Sequence, residues 1–251
     1  MNAITRFLGL ASLGFAIGAN AGTITFDETG IVHGTIIDTQ FQTPFGVTFS
    51  VTNNGSGPDL GVAFDSTATG TSDPDLEDEG GWDTGNLASS TILGNLLIIQ
   101  ENNDGTGDGV ADDPDDEGSR PAGTITIDFD FLIDSIGFDL IDIEDVTNEA
   151  GSVATFLNGG AALKTVNFAD FLDLGTFDRD VVYGNNSANR IAPLTAAEMG
   201  IGSFDQVVIS MGGSGAVDNI TWSTVPEPAT SALLAGGLLG LGWRRAYRPK
   251  R

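Results

Sequence analysis

Carboxylate oxygens dominate the groups able to do chemistry. Six acids and no base fall between residues 73 and 83, and eight more, again without a base, between 101 and 117. Such oxygens are hard ligands, suited to calcium, which gathers roughly six to eight of them. Within the second run, Asp104, Thr106, Asp108 and Asp112 stand at positions one, three, five and nine of a loop whose sixth residue is Gly109. The Val110 carbonyl falls at seven and Asp115 at twelve, which together supply a cation shell. The same residues also read as a solvated acidic loop whose charges merely repel.

Groups for catalysis are few. There is no Cys, and His33 is the only imidazole, so a Ser-His-Asp triad has one possible base and no G-x-S-x-G turn to carry its nucleophile. Paired carboxylates of the glycoside-hydrolase kind have candidates in Glu28, Glu101, Glu144 and Glu149. Acids are so common here that their presence carries little weight. Trp82, Tyr183 and Trp222 have faces on which a sugar ring can stack, although Trp222 also fits the core of a closing strand.

The 104–115 spacing resembles the start of an EF-type calcium loop. It differs in having Asp rather than Glu at twelve and no flanking helices, and so lies closer to the D-x-D-G calcium loops of extracellular matrix proteins.

The elements that must position these residues are strands. The 251 residues are 40% hydrophobic, enough for a core, and 35 glycines point to many turns. Over 123–132, Ile125, Ile127, Phe129 and Phe131 fall on one face and Thr124, Thr126, Asp128 and Asp130 on the other, the period of a half-buried antiparallel strand. Similar runs occur at 23–26, 47–51, 96–99, 136–143, 153–157, 163–168, 207–211 and 217–222, separated by Gly, Asn and Asp. Thr195 and Glu198 form a capping box for a helix of a turn or two ending at Gly200. Around ten short strands without alternating helices predict an all-β, two-sheet antiparallel sandwich of jelly-roll type over 22–224. In many jelly rolls the first and last strands are neighbours. That would bring Asp27 or Glu28 near Asp218 and Asn219, as a second oxygen-ligand set or as simple Asx turns.

The ends read as addresses. Arg6, the apolar stretch 7–17 and the small residues Ala19 and Ala21 predict a signal peptide over 1–21, cleaved before Gly22. At the other end Pro226, Glu227 and Pro228 precede an uncharged segment, 229–243, followed by Arg244, Arg245, Arg248, Lys250 and Arg251. Fifteen residues make a short, glycine-weakened transmembrane helix whose basic end stays cytoplasmic. Between the two ends lie 34 acids and four bases, a net charge near −30. That repels phosphate backbones and argues against nucleic acid as a partner.

The tripartite tail, 225–251, resembles the PEP-CTERM sorting signal. The resemblance implies a bacterial envelope in which an exosortase-type membrane protease removes the tail and delivers the protein to the cell surface or a biofilm matrix. The segments around Phe26-Asp27-Glu28, Gly34-Thr35, Gln40-Phe41 and Gly46-Val47-Thr48-Phe49-Ser50 look like the opening of exported PEP-CTERM β-sandwich proteins. Residues 213–220 look like the closing strand of lectin-like jelly rolls. These likenesses imply architecture and, more weakly, a carbohydrate ligand. The expected function is a non-enzymatic, calcium-stabilised surface or exopolysaccharide-matrix protein. The alternative is a secreted polysaccharide hydrolase or lyase on the same scaffold, since fold does not decide between them.

Overall fold

Residues 123–129 alternate as their pattern requires. Ile125 and Ile127 are fully buried and Phe129 nearly so, while Thr124, Thr126 and Asp128 stay half-exposed on the opposite face. The strand does not stop there. In the computed structural model, which describes residues 21–103, 106–144, 146, 151–172 and 175–224, it runs unbroken through the run predicted at 136–143 and ends at Ile141.

The described strands, in chain order, are β1 (Ala21–Ile24), β2 (Val47–Asn53), β3 (Gly61–Asp65), β4 (Asn95–Ile99), β5 (Gly123–Ile141), β6 (Val153–Asn158), β7 (Ala161–Asn167), β8 (Ala188–Thr195), β9 (Phe204–Met211) and β10 (Ala216–Thr224). Two one-turn helices, α1 (Gln42–Phe45) and α2 (Ala196–Met199), interrupt them. α2 is the capped helix read from the sequence: Thr195 Oγ1 accepts the Glu198 N–H at 3.0 Å, and Gly200 takes the left-handed C-cap, φ 69°. No helix among the described residues is long and apolar enough to cross a membrane.

All strand pairing is antiparallel between the named strands, and the ten belong to one continuous hydrogen-bonded sheet folded on itself at β5. The first half of β5 pairs β2 and β9, with β6 and β7 beyond β9. Its second half pairs β8 and β10. β10 in turn carries β4 and β3 along its start and β1 along its end. A register shift between Asp128 and Ile133 marks the crossing, as expected where a strand bends from one layer to the next. The result is sandwich-like. One core, with Phe49, Ile127, Phe156 and Val207 from the first layer and Ile24, Phe138, Leu194 and Ile220 from the second, fills the space between.

The second layer is buried on both faces. Val62, Phe64, Leu96, Ile98, Ile141, Ala188 and Ala216 point away from the main core, where Leu76, Trp82, Leu93 and Ala111 from the long connections cover them. Asp73, Glu77, Asp116 and Glu117 of the two acidic runs are buried in this covering, while Glu79, Asp83, Glu101, Asp108, Asp112 and Asp113 stay exposed. β3 and β8 were not among the expected strands. β3 is a run buried on nearly every residue, so it shows no alternation. β8 contains Pro193, which demotes a strand in a sequence reading.

Candidate functional site

The 104–115 loop does not close into the expected shell on its described residues. Asp104 and the side chain of Thr106 lie outside them. Asp108 ends a single 3-10 turn, and its Oδ1 accepts the Val110 N–H at 3.1 Å. Val110 bridges Thr35, and Asp112 is exposed. Asp115 turns the other way, accepting from Asn102 Nδ2 at 3.1 Å; burial, and then the charges of Asp73, Glu101 and Asp113, push its carboxyl up to about 6. Among the described residues, no three His, Asp or Glu side chains form a metal-ligand group by themselves.

The strand-end set is partly assembled. β1 pairs β10, with Ile24 opposite Ile220, so Asp27 and Asp218 come within electrostatic range. Asp27 Oδ1 accepts from the Asn95 backbone and side-chain amides at 2.9 and 3.2 Å. Glu28 Oε1 accepts the Thr25 N–H at 3.0 Å, while its buried Oε2 has no donor. Asp218 is fully buried. Asn219, in the left-handed region at φ 50°, donates to it through both its backbone and its Nδ2. Burial holds Asp218 well above the ordinary carboxylate range despite those donors, with Asp139 and Asp27 adding to the rise. Asp139 beside it has a fork from Arg190, 2.8 and 2.7 Å, and a third bond from Asn219 Nδ2 at 2.9 Å.

The densest charge lies elsewhere. Asp73, Asp75, Asp116 and Asp142 converge from connections far apart in sequence. Asp73 and Asp116 are buried, and their carboxyl groups face one another at hydrogen-bonding range. Asp116 Oδ2 accepts the N–H of Gly215. Gly215 sits at φ 135° with the Ile141 carbonyl 2.8 Å from where a Cβ would be, so only glycine fits that approach. Asp142, the residue after β5, is in the left-handed region, φ 55°, and its Oδ1 accepts the Asn186 N–H at 2.6 Å. Asn186 also ties the Asp75 and Glu77 carbonyls through Nδ2, at 3.0 and 2.9 Å. Burial raises all three carboxyls, Asp142 to about 8 with Asp75, Asp73 and Glu144 adding, and Asp116 well above its ordinary range with Asp73 and Asp142 adding. The two acidic runs were visible in the sequence; that Asp142 joins them was not.

The catalytic and stacking candidates are mostly spent on structure. His33 Nδ1 accepts the Asp65 N–H at 3.0 Å, and burial lowers its pKa. Glu144 is paired with Arg120 at 2.7 Å, Glu101 is exposed, and Glu149 lies outside the described residues. Trp82 and Trp222 are core residues: Trp82 donates Nε1 to Thr91 O, and Trp222 packs edge-on to Phe45 and Phe129. The Tyr183 hydroxyl donates to Phe168 O. A cavity of about 490 Å3 is lined by Asp78, Gly80, Gly81, Ser89, Ser90, Thr91 and Ile92, a mixed wall with one carboxylate.

Ala21 and Gly22, at the expected cleavage point, lie inside β1. Ala19 and the sorting residues Pro226, Glu227, Pro228, Arg244, Arg245, Arg248, Lys250 and Arg251 fall outside the described residues. Residues 224–246 match the PEP-CTERM protein-sorting motif. The match begins at the last residue of β10 and takes in Arg244 and Arg245. No curated protein matches the chain. The motif implies processing as an exosortase substrate, with export and sorting through a membrane-anchored stage.

Proposed function

We propose that this exosortase substrate is a non-enzymatic, calcium-stabilised protein of the cell surface or exopolysaccharide matrix, built on a jelly-roll-type sandwich. The sorting motif carries the first half of that reading. The second half is supported by charge. Between the two processing ends, 34 acids face four bases, and a surface so unbalanced destabilises the compact state unless cations gather on it. Buried carboxylates without protein cations beside them, such as Asp73 and Asp116, concentrate that demand in a few places. Of the carboxylates with raised pKa only Asp78 reaches the described cavity, where it has no second carboxylate across from it, and the rest lie on strands or in packed connections, which favours a structural over a hydrolytic role. Contact with exopolysaccharide fits a matrix location, through polar side chains rather than through the two buried tryptophans.

Processing tests the reading. Protein recovered from the surface or matrix fraction, released with chelator and weighed intact, is expected to begin at Gly22 and end within 225–228. Material still carrying 229–251 in bulk would defeat the sorting half. Release that is indifferent to chelator would defeat the calcium half.

A further inference from the structure

We propose that the facing carboxylates of Asp73 and Asp116 hold a divalent cation of the calcium class, at a place separate from the 104–115 loop and from the Asp27–Asp218 pair. The inference rests on the calcium reading above and gives it an address. Asp73 is 8% exposed, and its Oδ2 is buried without any hydrogen-bond donor. The Asp73 carboxyl faces a second one, on Asp116, 7% exposed, whose Oδ2 already takes the Gly215 N–H, and the backbone N–H groups of Asp75 and Asp116 are the other donors near it. Two carboxylates turned toward each other out of water repel unless something positive lies between them.

Among the described residues no protein cation does so. Arg120 pairs with Glu144, Arg179 with Glu198 and Arg190 with Asp139, while Lys164 lies over the Phe177 ring. These four are all the bases between Gly22 and Thr224. A single shared proton would cancel one charge and leave Asp75 and Asp142 still opposing the pair. A divalent ion cancels two.

The chemistry selects calcium over magnesium. Because no third acidic or imidazole side chain among the described residues joins the group, the remaining oxygens must be water or backbone carbonyls. Calcium tolerates such an irregular shell, and magnesium demands a near-ideal octahedron. An ion there would bind the connections around residues 73 and 116 to each other and, through the Gly215 N–H, to the start of β10.

The test uses the full chain, with calcium chloride as the probe and magnesium chloride, sodium chloride and chelator as comparisons. Melting temperature and a calcium isotherm are the readouts. The unaltered chain should melt roughly 5–11 °C higher at a hundredfold excess of calcium over Kd, with sodium at equal ionic strength doing much less. Asp116→Asn and Asp73→Asn should each weaken calcium binding at least tenfold. In chelator, Asp116→Asn should melt no lower than the unaltered chain, because its amide donates to Asp73 Oδ2 and relieves the repulsion. Asp108→Ala with Asp112→Ala, and separately Asp27→Asn, should leave the calcium rise in place. A rise undiminished in both Asn variants overturns this site while leaving the calcium reading to the other two places. No calcium-specific rise in the unaltered chain overturns both.

Discussion

Asp139 shows how one basic side chain governs a pocket of buried acid. Its carboxylate is 1% exposed and receives the Arg190 guanidinium on both oxygens, whereas Arg190 itself is half in water. Burial still leaves Asp139 above its ordinary range, with Arg190 and Asn219 pulling it back. Removing the arginine strands that charge next to Asp218, which already carries Asn219 as its donor and Asp27 as a further repulsive neighbour. Breaking a buried pair from one side costs about 3–5 kcal/mol; with one partner half-exposed, Arg190→Ala should cost roughly 2–4 kcal/mol. Chemical denaturation should show Asp139→Asn in the Arg190→Ala background recovering most of that loss. If the double variant is no more stable than the single one, the stranded carboxylate is not the cause.

At the scale of elements, β5 is the member both layers share. Its first half lies between β2 and β9 and its second between β8 and β10. Neither layer can therefore open alone without tearing a strand that the other holds. Phe138, buried on the second half, should cost about 3–5 kcal/mol on truncation to Ala. Amide exchange in that variant should accelerate equally at Ile127 and Leu140; protection kept at Ile127 alone would mean the halves unfold separately. The strand's alternating half was legible in Ile125, Ile127 and Phe129 because one of its faces is wet. Its second half was legible as a strand, but its fusion to the first was not, since Phe131 to Ile133 carry no break or turn signal that local pattern can rank. β3 escaped notice because both its faces are buried, and the acid cluster because Asp73, Asp116 and Asp142 meet only through tertiary pairing. The Asp27–Asp218 approach, in contrast, was readable from the neighbouring of first and last strands.

For the whole molecule, the acids set the pH response. Asp142 is raised from 3.8 to about 8 and Asp115 to about 6, so between the unfolded and folded values the native state binds the extra protons. Their stabilising contribution is complete below about pH 4 and is lost as pH climbs through 6 and then 8. Glu77 and Glu117 act oppositely: burial raises them, but donors from Thr71 and from Ser119 more than offset it, and their contribution fades as pH falls below 4.5. In chelator, stability should peak near pH ~4 and decline toward 8, by an amount on the order of a few kcal/mol. Urea midpoints across that range measure it. Asp142→Asn should flatten the decline, and a decline just as steep in that variant would clear Asp142 of the effect. One further property follows from Ala21 lying opposite Ser223 in the β1–β10 pair. A chain tethered only beyond Thr224 transmits force along β10, loading that strand in shear between β5 and its other neighbours. A chain tethered at both ends feels the same force as peeling, which parts β1 from β10 one hydrogen-bonded pair at a time, starting at Ala21.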